Sequence, residues 1–451
     1  MNFRSAALLR RIRWRWVVLL IVLLAGGALL LRGSGGTQGR LAAIRAQGYP
    51  VSVEDIAAAL GTNAARARQN VEQLDAFALA IRVDTTRRPP RGLTNAASEL
   101  DWARAQLTPE NLAQFDRLHT HLNLNLWAYN DFSKGIGGLT IKYLISAKTL
   151  ANHLQVEAMS AAILGDTQQS AAAVEGTLKV SRSLNAEPLT VYYLVASAVD
   201  AIAANAAEFS FSRAQWTDSE LRSLGNVLLT AEGTNTLQAS LAGERAYNLS
   251  VIQSDPLSLI SGALLNSGAG GTTGPLTQTL QRVLATAYIT FLRSGDRNHF
   301  LDHFDDLMRI ATLSGPQGRP ALTDFESRLG QERMRWRYPL SHWLLPTVAR
   351  AANKEWRRLA TLRCARTACA VERFRGQNGR LPERLDELVP RFLDRIPDDP
   401  ITGTPLQYRV HPLGYVVYSV GQDGADDGGV EFARRPKNRN DGWDHTFTVE
   451  R

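Results

Sequence analysis

The sequence predicts an α+β protein: an N-terminal transmembrane helix, a large all-α bundle or irregular α-solenoid, and a small C-terminal helix with an antiparallel sheet. Three observations point there. An uncharged apolar run, Val17 to Leu31, follows a cluster of arginines. Some three hundred residues beyond it are rich in Ala and Leu, with apolar residues at three- and four-residue spacing. Short β-branched and aromatic segments then enter from Leu406.

The N-terminal segment comes first. The 451-residue chain carries a formal charge of +8, but residues 1 to 32 hold six arginines and no acid, which leaves +2 for the rest. The basicity therefore belongs to the N-terminus, and nucleic acid is not an expected partner. At about 1.5 Å per residue the apolar run spans roughly 22 Å, short of the roughly 30 Å bilayer core. Trp14, Trp16 and the flanking arginines extend it, so the chain is expected to meet the membrane through residues 16–32. The positive-inside bias makes the protein single-pass in a bacterial inner membrane, with its bulk extracytoplasmic, in the periplasm. A cleaved signal peptide is the alternative, since Ala25 and Gly27 are small enough for processing. The leucines Leu29 to Leu31 after that site favour an uncleaved anchor over residues 1–36.

Residues 37–340 read as the helical domain. Predicted helices cover Val53 to Leu60, Ala64 to Ile81, Ala96 to Gln106, Pro109 to Leu126, Ile141 to Leu164, Thr167 to Leu184 and Leu189 to Phe209. Ser52 and Thr108 are N-caps, the latter with Pro109 at N1, and Gly165-Asp166 is a tight turn. Leu150 to Leu184 loosely resembles a tetratricopeptide-like hairpin, without a 34-residue recurrence. A Gly-rich break over 256–275 divides this domain. Its glycines lack the spacing, the following Lys and the preceding strand of a phosphate loop.

Residues 341–451 form the last domain. Leu359 to Phe374 reads as a helix ended by Gly376 and Gly379, and prolines bound a short turn over 381–390. Leu406 to Val410 and Tyr415 to Val420 read as strands, with His411 to Gly414 turning the hairpin. The order Ala370-Val-Glu-Arg-Phe-Arg-Gly-Gln-Asn-Gly379-Arg-Leu-Pro382, Leu388-Val-Pro390, Pro397-Asp-Asp-Pro400, Tyr408-Arg, Gly414 to Gly421 and Asp423-Gly resembles the C-terminal domain of the type II secretion major pseudopilin. That resemblance implies a pseudopilin-like α/β module that assembles or binds. It covers the C-terminal module alone, because the N-terminus has neither the prepilin peptidase sequence nor the glutamate of the pilin helix. The whole chain, with Gly243-Glu-Arg-Ala246 in its helical middle, also loosely resembles uncharacterised membrane-anchored proteins of planctomycete and verrucomicrobial bacteria.

The leading site candidate is the acidic loop Asp423-Gly-Ala-Asp426-Asp427-Gly-Gly429 with Asp441 and Asp444. Several carboxylates on a glycine-rich loop supply the hard oxygens that Ca²⁺ takes. The pseudopilin resemblance implies a structural calcium held by Asp423 and by Asp441 or Asp444; composition adds Asp426 and Asp427. A solvated acidic turn is the alternative. His299 and His303 share a helix face with Asp306 one turn on, a zinc-like spacing that lacks the zincin glutamate and reads as a solvated face. Cys364 and Cys369, five apart on one helix, cannot bridge easily and read as small buried residues. Glu244 and Arg245 read as an ion pair.

No nucleophile elbow or nucleophile–base motif is recognisable, so no catalytic residue, cofactor-binding residue or small-molecule substrate is assigned. The expected function is a membrane-anchored extracytoplasmic interaction or assembly scaffold without catalytic activity, with protein partners. The alternatives are an accessory component of a type II secretion or pilus-like system, and a membrane-tethered hydrolase.

Overall fold

The computed structural model describes residues 37–451 except 61–63, 88, 90–96, 124–129, 133, 135–141, 234–235, 255–285, 287, 333–336, 422–423 and 432–442. The predicted anchor therefore lies outside the described residues, as does the whole break over 256–275. Among the described residues one helix, Thr190–Arg213, is long and apolar enough to cross a membrane. Its apolar window is 61% buried inside the protein, so it is packed as a core helix.

The described chain is mostly helical, with one small antiparallel sheet at its end. In order come α1 (37–46), α2 (Val53–Leu60), α3 (Ala64–Ala80), α4 (Ala97–Gln106), α5 (Pro109–Leu122), α6 (Lys142–Leu164), α7 (Thr167–Asn185), α8 (Thr190–Arg213), α9 (Asp218–Glu232) and α10 (Thr236–Ser254). A π-turn at Tyr288–Leu292 leads into α11 (Arg293–Ile310), α12 (Gly315–Gln331) and α13 (Pro339–Asn378). The strands are β1 (Gln407–His411), β2 (Gly414–Ser419) and β3 (His445–Glu450).

The predicted Thr108 cap and Gly165-Asp166 turn are in place, and Asp166 also caps the helix that follows. Thr108 accepts the Asn111 amide with Pro109 at the first helical position, and Asp166 accepts the Gln169 amide after Gly165 turns at φ 82°. Helices α6 and α7 form a hairpin against α8, burying a small-residue seam that includes Ala158, Ala173, Ala203 and Ala206. Small side chains let helix axes approach closely, which explains the alanine content of this region.

The last helix differs from its predicted extent. It begins at Pro339, not Leu359, and runs through Pro346 before Gly379 ends it in the left-handed conformation at φ 69°. The prolines resemble breaks in sequence, but Pro339 sits in the first turn, where no amide donor is needed. Leu340, Leu345, Val348 and Ala352 continue the apolar face and are buried against α11 and α12.

The sheet order is β1-β2-β3, antiparallel, with Tyr408 opposite Val417 and Val416 opposite Thr448. One core unites Ala207, Phe211 and Leu224 of the helical body with Leu362, Val371, Tyr415, Val417 and Phe447 of the terminal module. Beyond that shared core, the outer edge of β3 is bonded to α8: the Thr448 amide donates to Glu208 at 2.6 Å and the Glu450 amide to Ser212 Oγ at 3.2 Å. An edge that would otherwise invite strand pairing is thus covered by the protein itself. At a second seam a Cβ added to Gly315 would lie 1.7 Å from the Pro400 carbonyl oxygen, so glycine is required where α12 meets the 397–405 turn.

Candidate metal centre

His299 and His303 lie four residues apart on α11 and project from one side of it. That side is not a solvated face. Their side chains are only 10% and 15% exposed, with Tyr338 stacked on His299 at 4.1 Å and the Phe325 ring edge-on to His303 at 5.7 Å. The residue predicted to join them does not: Asp306 pairs with Arg328 at 3.2 Å. Their carboxylate partner is Glu332. It follows α12 with extended backbone, ψ 120°, and His299 Nε2 lies 2.9 Å from its Oε2 while His303 Nε2 lies 3.1 Å from its Oε1.

A third imidazole arrives from α13. Its first turn is held by Asp296, fully buried on α11, whose carboxylate accepts the Leu340 and Ser341 amides at 3.0 and 3.1 Å and the Ser341 hydroxyl at 2.5 Å. The Tyr288 hydroxyl donates to the same carboxylate at 3.1 Å. This capping sets the register of the next residue, His342, whose Nε2 lies 2.7 Å from Glu332 Oε2. At that separation the pair still lacks hydrogen-bond geometry, and the buried Nε2 has no hydrogen-bond partner.

Proton placement narrows what the cluster can be. His303 Nδ1 sits 3.0 Å from the His299 carbonyl oxygen, which can only accept, so Nδ1 carries the proton. A neutral His303 then turns a bare Nε2 lone pair toward a carboxylate oxygen. Two lone pairs at 3.1 Å are tolerable with an extra proton or with a cation between them. Burial, and then the neighbouring His303, lowers the pKa of His299 and favours its neutral, ligating form. Burial alone would raise the Glu332 carboxyl, but the imidazoles, His299 first, hold it below its ordinary value as a carboxylate. His299, His303 and Glu332 each offer a ligand atom within 4.8 Å of the others, the one such group among the described residues. Two imidazoles and a carboxylate suit Zn²⁺ and its first-row neighbours better than Ca²⁺ or Mg²⁺.

The acidic loop is only partly described: Asp423 and Asp441 lie outside the described residues. Asp426 accepts the Gly428 amide at 2.8 Å and the Tyr418 hydroxyl at 3.1 Å, and Asp444 accepts the Gly429 amide at 2.7 Å. Burial, with the charges of Asp426 and Asp427 adding to it, raises the Asp444 carboxyl. A divalent cation would relieve that repulsion. No three carboxylates of Asp426, Asp427 and Asp444 reach 4.8 Å of one another among the described residues. A calcium shell here thus needs Asp423, Asp441 or backbone oxygens to complete it.

Other singled-out residues are structural. Glu244 and Arg245 do not pair: Glu244 accepts the Thr190 amide at 3.0 Å at the start of α8, and Arg245 lies 3.4 Å from Asp305. Cys364 and Cys369 are both free and buried, as read from their spacing. Sequence reasoning missed Glu332 and His342, which lie about thirty and forty residues beyond His299. The one available signal was density, since three of the eight histidines fall between 299 and 342.

In comparisons with family models, curated proteins and solved structures, nothing matches this chain.

Proposed function

We propose that the protein is a membrane-anchored, extracytoplasmic interaction or assembly scaffold whose helical body holds a divalent transition-metal ion on His299, His303 and Glu332. The observation that carries the metal is the convergence of two imidazole nitrogens and a carboxylate within 4.8 Å, with His303 in the tautomer that presents Nε2. Support for a scaffold comes from the continuity of the core: α13 and the β3 edge join the terminal module to the helical body as one packed unit. At their junction lies a cleft of about 720 Å³ whose walls include Glu232, Glu355, Trp356, Arg363 and Asp398, a polar surface suited to a protein partner. Anchoring rests on residues 16–32 and their arginines, which would place the body in the periplasm.

A second reading, an accessory component of a type II secretion or pilus-like system, draws on the long helix packed against a three-stranded antiparallel sheet. A structural calcium in the acidic loop belongs to that reading.

The test is titration of the chelator-stripped full-length protein with Zn²⁺ by calorimetry. One equivalent should bind, and His303→Ala and Glu332→Ala should each abolish it. Absence of binding to the wild type would sink the metal assignment. Crosslinking in native membranes followed by mass spectrometry addresses the scaffold: enrichment of secretion-machine proteins favours the second reading, and other envelope proteins favour a general scaffold.

A further inference from the structure

We infer that His342 is the fourth protein ligand, so that the centre is a closed His₃Glu site of the structural zinc type that staples the start of α13 to α11 and the end of α12. This rests on the metal reading above and decides which kind of metal site it is. A catalytic zinc keeps one position for water or substrate, whereas a structural zinc fills all four with protein.

Four observations converge on the closed form. First, the Nε2 atoms of all three histidines crowd a single carboxylate at 2.7, 2.9 and 3.1 Å. Ligand atoms on a tetrahedral ion with bonds of about 2.0–2.1 Å sit about 3.3 Å apart, so the three contacts to the carboxylate need to open by only a few tenths of an ångström, while His342, which lies outside the group of ligand atoms within 4.8 Å of one another, has to swing inward to join the other two imidazoles. Second, His342 Nε2 is buried beside that carboxylate yet makes no hydrogen bond, so a hydrogen-bonded positioning role does not account for it. Its ring centroid lies 5.6 Å from that of His299, beside the same Glu332 carboxylate. Third, the side chains of His299, His303, His342 and Glu332 are 10, 15, 12 and 27% exposed, a site largely withdrawn from water. Fourth, the backbone that carries His342 is held by the buried Asp296, which sits on the same helix as His299 and His303. Ligands fixed by a hydrogen-bonded frame lose little freedom on binding an ion, which is how structural sites are built.

The consequence is mechanical. Helix α13 carries the terminal module, and its N-terminal part packs on α11 and α12. An ion shared between α11, Glu332 and α13 would clamp that packing at the start of α13. Calcium and magnesium, which take more oxygens, would not replace the ion.

The experiment is X-ray absorption on the full-length protein loaded with one equivalent of Zn²⁺, paired with visible absorption of the Co²⁺-loaded form. The expected result is a four-coordinate shell with three imidazoles and one carboxylate oxygen, and the intense visible bands of tetrahedral Co²⁺. His342→Ala should lower Zn²⁺ affinity at least about tenfold and weaken those bands as water enters. A wild-type shell with two imidazoles and additional oxygens, or weak five- or six-coordinate Co²⁺ bands, would overturn the closed centre while leaving the metal reading intact. Failure of Zn²⁺ to bind the wild type at all would instead remove the reading on which this one rests. Because the ligand count is read on the wild type, the result does not depend on whether the variant folds.

Discussion

Arg358 of α13 reaches Asp200 of α8 at 3.3 Å across 158 positions, with only 1% and 3% of the two side chains exposed. The same guanidinium donates to Glu355 at 2.7 and 2.9 Å and to the Ala231 carbonyl at 3.2 Å. Every charge in this group has a partner, and removal of one leaves the others buried and uncompensated. Arg358→Met should cost roughly 3–5 kcal/mol in denaturant unfolding, and Arg358→Met combined with Asp200→Leu should cost less than the sum of the two. A loss below about 1 kcal/mol for Arg358→Met would show the pair to be incidental.

Asp296 is the second buried anchor of α13. Asp296→Ala leaves the Tyr288 hydroxyl and the Leu340 and Ser341 amides without their acceptor, while the Ser341 hydroxyl keeps the residue's backbone carbonyl, and should cost roughly 3 kcal/mol or more. Asp296→Asn keeps one acceptor and should fold, but with Zn²⁺ affinity lowered as His342 shifts. Calorimetry on that variant separates the two effects; unchanged affinity would mean that His342 is positioned by other contacts.

His445 gives the pH dependence. Burial first, and then the nearby Arg357, pushes its imidazole down to about 3. Its unfolded value is about 6.5, so the unfolded chain takes up the proton first as pH falls. The stability that a neutral His445 contributes is complete above about pH 6.5 and is lost progressively toward pH 3, by at most about 1.4 kcal/mol per pH unit. Wild type and His445→Gln compared by unfolding at pH 7 and 4.5 should show a steeper loss for the wild type. Parallel losses would place the titration elsewhere.

The acidic loop yields a separate expectation. Calcium at about one hundred times its dissociation constant should stabilise the wild type by about 2.7 kcal/mol, seen as a higher melting temperature. Asp423→Ala should abolish that rise, and Asp444→Asn should reduce it. With no calcium response in the wild type, the loop is an acidic turn capped by its own amides.

Much of the architecture was legible because its signals are local. The Thr108-Pro109 cap, the Gly165 turn, the Gly379 terminus and the Pro412-Leu413 hairpin each occur where the sequence placed them. The helix predicted from Leu359 starts twenty residues earlier, at Pro339, because a proline is tolerated in the first helical turn, and its place in a turn is not stated by composition. The site was legible only as a pair of histidines at helical spacing. Their exposure was misjudged because Tyr338 and Phe325, which cover them, come from outside α11.

By itself, then, the sequence determined what neighbouring residues decide together: helical periodicity, caps, turns and the two edge-to-edge strand hairpin segments. Tertiary structure alone decided which side chains share one volume. Glu332 and His342 meet His299 and His303 because α11, α12 and α13 pack around a common apolar core. Such convergence depends on burial summed over many residues distant in the chain, so no short window of sequence contains it.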